Sequence, residues 1–229
     1  MNHNSEIPNF VRNIVTAEDK RLRVMAGPGT GKSTALMLRV KRLLEQGQEP
    51  TRILAVTFTR TAATSLIKDL TELDVVGCEK VNAGTLHSYC FSLLNKTDVF
   101  EYHSRIPRPI FTFPKSNSLQ FEGGIMLSDL TMVQEFGSKR SCTERIHGFE
   151  SDWARLQYEQ PGWPTDPTDR LFKDHLSAWL NFHRAMLLGE LVTETLHFLR
   201  NNPESDVIGA FDHVIVDEYQ DLNRAEQEV

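Results

Sequence analysis

The chain has 229 residues, 40% hydrophobic and 24% charged, which is enough apolar material for a sizeable core and unlike a disordered or fibrous protein. No run of eighteen or more apolar residues occurs, and the start, MNHNSEIPNF, is neither basic nor apolar, so neither a membrane span nor a secretory leader is expected and a cytoplasmic location is. The net charge of −6 is uneven: residues 1–96 carry +4 and residues 97–229 carry −10, so a polyanion such as a nucleotide or nucleic acid is expected on the first part.

In chain order, RLRVMA (Arg21–Ala26) reads as a strand, and STALMLRVKRLLEQG places Leu36, Val40, Leu43 and Leu44 at helical spacing before Gly47. RILAVTFT reads as a second, buried strand and TAATSLIKDLTEL as a helix with Leu66, Ile67 and Leu70. KVNAGTLHS reads as a third strand, followed by the short helix YCFSLLN. Alternating strands and helices predict an α/β protein: a parallel sheet wound by crossover helices.

From about Asp98 the pattern breaks. Pro107, Pro109, Pro114, the Gly123-Gly124 pair and EQPGWPTDPTD interrupt it, so this stretch is expected to be irregular, with short helices such as SDLTMVQEF. Regular structure returns at Pro167, a good first helical residue after a cap at Asp166. Phe172, His175, Leu176, Trp179, Phe182, Met186 and Leu187 are expected on one helical face, and ELVTETLHFLRNNP as another helix ending before Pro203. Both helices are expected to pack on the sheet, which HVIVDE rejoins as its last strand. The expected organisation is thus residues 1–97, a distinct stretch 98–166, and a return over 167–229. Cys78, Cys90 and Cys142 are odd in number and form no CxxC pair, and the eight histidines are scattered, so neither a disulfide framework nor a zinc site is indicated.

The sharpest chemical signal is AGPGTGKST, comprising Ala26, Gly27, Pro28, Gly29, Thr30, Gly31, Lys32, Ser33 and Thr34. Glycines between a strand and a helix let backbone N–H groups fold around phosphate, and the helix N-terminus adds a favourable dipole. In that reading the loop binds ATP, Lys32 reaches the β- and γ-phosphates and the Ser33 hydroxyl ligates Mg²⁺. Ala26 stands where the strict pattern has glycine. A second strand must then bring a carboxylate, and VIVDE supplies Asp217 for Mg²⁺ and Glu218 as the base that activates water.

Four motifs in order resemble the UvrD/Rep type of superfamily 1 DNA helicases: the P-loop with Ala26, ILAVTFTRTAATSL, AGTLHSYCFSLL and DEYQD. The resemblance covers roughly residues 8–96 and 168–229. It implies a RecA-like P-loop NTPase domain with helices on both faces of the sheet and a small, mostly helical or irregular inserted subdomain at 98–166, which fits the 185 residues from Lys32 to Asp217. It further implies that Gln220 contacts the γ-phosphate, and that Thr57, Phe58, Thr59, Arg60, Thr85 and His87 lie along single-stranded DNA. The implied partners are single-stranded DNA or a single/double-strand junction, a second RecA-like domain that supplies an arginine and is absent here, and a nuclease or repair protein. On that view the chain alone is nearly inactive. Alternatives are the ATPase arm of a helicase–nuclease or phage-defence complex, and a stand-alone nucleotide-dependent DNA-binding module. Departures are Arg60 and Thr61 in place of Asn-Lys, Leu86 in place of Phe, Thr34 and Ala35 in place of an arginine after the P-loop, and Val11 in place of the glutamine that reads adenine.

Overall fold

A computed structural model describes residues 8–27, 29–107 and 133–229. By its internal contacts the chain forms two compact units: residues up to Leu86 with Ile208–Asp221, and His87–Val207 with Leu222–Val229. The boundaries expected at 97/98 and 166/167 both fall inside the second unit.

The first unit is built on a three-stranded parallel sheet of β1 (Ile53–Thr57), β2 (Asn82–Thr85) and β5 (His213–Val216), with β1 in the centre. All five residues of β1 are buried, as a strand covered on both faces requires, and hence its unbroken apolar run. α2 (Lys32–Glu45) and α3 (Arg60–Thr71) flank the sheet and share a core cluster with Ile53 and Ala55. α3 starts where Thr59 accepts the Ala62 N–H at 3.1 Å and buries Ala63, Leu66 and Leu70 at helical spacing. α2 ends at Gly47, whose φ of 84° lets Gln48 N–H reach the Leu43 carbonyl and Gly47 N–H the Leu44 carbonyl. α1 (Asn9–Thr16) is tied to α2 through its C-terminal carbonyls: Arg39 donates to Ile14 and Ala17, and Arg42 to Val15.

One expected strand does not form. Arg21–Ala26 has no ladder partner among the described residues, and Leu22, Val24 and Met25 remain exposed, Met25 to 84%. The alternation of arginine with apolar residues imitates a half-buried strand, but a strand needs a neighbour's backbone, and no described strand offers one here.

The second unit contains α4 (Leu86–Leu94), α5 (Thr97–His103), β3 (Ile106–Pro107), α6 (Lys139–Ala154), α7 (Pro167–Phe182), β4 (Ala185–Met186), α8 (Glu190–Asn201) and α9 (Arg224–Glu228). Of the expected helix SDLTMVQEF, Ser128–Met132 lie outside the described residues, and Gln134–Phe136 make a single 3₁₀ turn. α6, sixteen residues long, was not legible beforehand. Its buried Cys142, Ile146 and Phe149 are sparse among charged residues, and Gly148 interrupts them. α7 keeps its expected cap, Asp166 accepting N–H bonds from Thr168 and Asp169, and buries Phe172, Leu176 and Leu180. Those side chains join Phe136, Cys142, Ile146 and Phe149 in the second unit's own core cluster, which among the described residues contains none of the three-stranded sheet. The long helical face expected after Phe172 also stops short. α7 ends at Phe182, which is 83% exposed, and Met186 lies in β4 beyond the turn at Arg184, whose φ is 48°. α8 ends before Pro203 as expected. All three cysteines are buried and unpaired, and no described helix is long and apolar enough to cross a membrane.

A buried ion pair holds β3, β4 and α8 together. Arg105 donates to both oxygens of Glu190 at 2.8 and 2.7 Å and to the Ala185 carbonyl, while Glu190 also accepts the Leu187 N–H. Burial pushes the Glu190 carboxyl up, and Arg105 opposes that shift. Arg105→Ala strands a buried carboxylate and should lower unfolding free energy by about 3–5 kcal/mol in chemical denaturation. Asp166→Ala, which removes only a helix cap, should cost about 1 kcal/mol in the same measurement.

Candidate nucleotide-binding site

The glycine-rich segment takes the backbone form that its composition suggests. Gly29 and Gly31 have φ of 70° and 84°, a region open to glycine, and a Cβ built on either would meet nothing within 4 Å. Thr30 closes the turn by donating its hydroxyl to the Gly27 carbonyl at 2.7 Å. Ala26, Gly27, Gly29, Thr30, Ser33 and Thr34 are exposed, and Pro28 lies outside the described residues. α2 then begins at Lys32 without any side-chain cap, its first intrahelical bond running from Ala35 N–H to the Gly31 carbonyl at 2.9 Å. An uncapped first turn beside an open glycine bend is a ready acceptor of anionic oxygens.

β5 delivers the carboxylates to the same place. Asp217 continues the ladder, its N–H bonded to the Val56 carbonyl at 2.8 Å, and its half-buried carboxyl is pushed up, first by burial and then by Glu218. Glu218 breaks from extended geometry with φ of 51°, an uncommon value for a residue with a side chain. Its Oε2 receives Lys32 Nζ at 3.2 Å and the Gln220 side-chain amide, and these two partners, Gln220 first, hold its carboxyl below the usual range. Lys32, Glu218 and Gln220 are therefore brought together, across 186 residues between the first two.

Among the described residues, no cluster of three or more His, Cys, Asp or Glu could hold a metal by itself. Mg²⁺ keeps several waters and shares one or two protein ligands with substrate phosphates. Asp217 and the exposed Ser33 hydroxyl have the right chemistry for it.

The residues expected along DNA divide by exposure. Phe58 is 43% exposed at the end of the central strand, Arg60 is exposed at the start of α3, and the Thr59 hydroxyl is engaged as the α3 cap. Thr85 ends β2 in register with Thr57. Thr57 itself is 1% exposed, so a polymer phosphate does not reach its hydroxyl in this structure. His87 lies in the second unit, its Nδ1 3.4 Å from Oε1 of buried Glu226. The motif reading missed Glu226. Its signal was the Asn-x-x-Glu pattern, since Asn223 and Glu226 form the capping box of α9. Val11, at the position compared with an adenine-reading glutamine, is buried at 3% exposure and is the buried residue of α1.

Residues 9–229 match the family of UvrD/REP helicase N-terminal domains. The chain is 26% identical over 212 residues to the "Probable DNA helicase II homolog" of Rickettsia felis, a match covering 88% of this chain and 31% of that protein. It is 26% identical over 244 residues to the ATP-dependent DNA helicase PcrA of Staphylococcus epidermidis, covering 98% of this chain and 30% of that protein. A 24% match to DNA helicase II of Rickettsia typhi covers 90% of this chain and 32% of that protein, so the chain spans about a third of the length of these relatives. With a P-loop turn, a parallel sheet and an acidic strand end in one unit, and a family match that runs to Val229, the chain belongs to the UvrD/REP helicase N-terminal domain family.

Proposed function

We propose that the chain is the ATP-binding N-terminal motor domain of an ATP-dependent DNA helicase that translocates along single-stranded DNA. The observation that carries this reading is the meeting of Lys32 and Glu218, with Gln220 bonded to the same carboxylate oxygen. These are the cation, the base and the phosphate-sensing amide that an NTP-driven motor needs at one point. In this reading residues 1–97 and 167–229 form the RecA-like domain and residues 98–166 the inserted subdomain.

The Lys32–Glu218 contact is a resting arrangement in which lysine and base neutralise each other. A nucleotide's β- and γ-phosphates compete for Lys32, and its departure frees Glu218 to accept a proton from water. Gln220, next in reach of that oxygen, then reports whether a terminal phosphate is present. Asp217 and the Ser33 hydroxyl would hold Mg²⁺, which would supply charge neutralisation on the transferring phosphoryl group. Phe58 and Arg60 are both exposed on this unit and are suited to stacking on a base and pairing with a phosphate. The partners are single-stranded DNA or a single/double-strand junction, and a second RecA-like domain that donates an arginine to the phosphoryl group.

Lys32→Ala should weaken binding of a fluorescent Mg·ATP analogue by about 10- to 100-fold, the worth of a charge-assisted contact. Unchanged affinity in that titration would end the P-loop assignment. Because Val11 is buried and apolar, competition with ATP and with GTP should give affinities within about threefold of each other, since no hydrogen-bonding side chain is left there to discriminate. Glu218→Gln removes the anion that holds Lys32 and should tighten nucleotide binding by about two- to fivefold, the scale of a half-exposed ion pair. Looser binding by this variant would show that the pair supports the site instead of competing with the ligand.

A further inference from the structure

Thr57 closes the central strand, and its hydroxyl oxygen is buried with no hydrogen-bond partner among the described residues. Buried hydroxyls are ordinarily bonded, so this one calls for a cause. Alternation along β1 puts Thr57 on the same face as Ile53 and Ala55, which share a core with Met37, Val40, Leu43 and Leu44 of α2 and with Leu66 and Leu70 of α3. At the same end of the sheet, Asp217 is bonded to the neighbouring Val56 carbonyl, and Lys32 at the start of α2 meets Glu218. The uncapped end of α2 and the orphaned hydroxyl thus lie at one end of the sheet within one compact unit.

Resting on the nucleotide reading above, we propose that Thr57 is a positioning residue of the nucleotide site, its hydroxyl held for a water in the shell of a divalent cation that arrives with a nucleoside triphosphate. A hydroxyl donates one hydrogen bond and accepts two, and Mg²⁺ keeps most of its waters when bound, so such a water needs second-layer partners of this kind.

The test is titration of this chain with a fluorescent non-hydrolysable ATP analogue, in Mg²⁺ and separately in EDTA, alongside binding to labelled oligo-dT, for the wild type, Thr57→Val, Thr57→Ser and Lys32→Ala. Thr57→Val should weaken binding about 5- to 10-fold in Mg²⁺ and less than twofold in EDTA, the scale of one lost hydrogen bond. Thr57→Ser should restore the Mg²⁺-dependent part. The ligand-free melting temperature of Thr57→Val should be unchanged or higher, because a methyl group replaces an unsatisfied hydroxyl. Equal affinity of Thr57→Val and wild type in Mg²⁺ overturns the proposal, as do equal losses in Mg²⁺ and EDTA, or lost oligo-dT binding with nucleotide affinity intact. If Lys32→Ala loses binding while Thr57→Val does not, only this inference fails. If the wild type binds no nucleotide or Lys32→Ala changes nothing, the nucleotide reading fails and this inference falls with it.

Discussion

The candidate site depends on the pairing of β5 alongside β1. Asp217 and Glu218 come to Lys32 only because this parallel pair sets Val216 beside Val56, joining segments about 160 positions apart in the chain. A slip of one residue would turn every side chain of β5 to the opposite face and carry Asp217 away from the α2 layer. The register is held at both ends. Asp212 N–H bonds the Arg52 carbonyl at 2.9 Å, and Asp217 N–H bonds the Val56 carbonyl at 2.8 Å. At the first end Arg52 grips both oxygens of Asp212 and the Gly209 carbonyl, a fork-to-fork contact that fixes direction as well as distance.

Once that pair is in register, local backbone decides the electrostatics. Successive side chains on an extended strand point to opposite faces, which would separate Asp217 from Glu218. The left-handed backbone at Glu218 breaks the alternation just after the last paired residue, and its carboxylate comes to rest on Lys32 and Gln220. The two neighbouring acids then titrate in opposite directions. Burial raises Asp217, whereas hydrogen bonds from Gln220 and Lys32 lower Glu218. Adjacent carboxylates held in different environments can take different work, one as a metal ligand and one as a proton acceptor.

Much of this was readable in the residues. β1, α2, α3 and β5 carry strong periodicity and end at strong punctuation, as at Gly47 and at the Thr59 cap, so local propensity and tertiary demand agree. The glycine-rich bend and the Asp217–Glu218 pair were legible because each follows a fixed pattern of residue types. What could not be read depended on neighbours distant in sequence. Arg21–Ala26 has strand-like composition but no partner edge among the described residues. α6 has a thin apolar stripe that acquires meaning only against Phe136 and Phe172, and α7, expected on the sheet, has its core elsewhere. The burial of Thr57 was likewise invisible, since a threonine at the end of an apolar run reads as surface until both flanking strands are in place.

In the proposed motor, Lys32 is shared between Glu218 and a nucleotide phosphate. A crystal structure of this chain with Mg²⁺ and a non-hydrolysable ATP analogue tests it most directly. Phosphate oxygens are expected in the bend formed by Gly29 and Gly31, with Lys32 Nζ moved from Glu218 to those oxygens and Asp217 facing the metal. A nucleotide bound elsewhere, or bound here with the 3.2 Å Lys32–Glu218 contact intact, would contradict it.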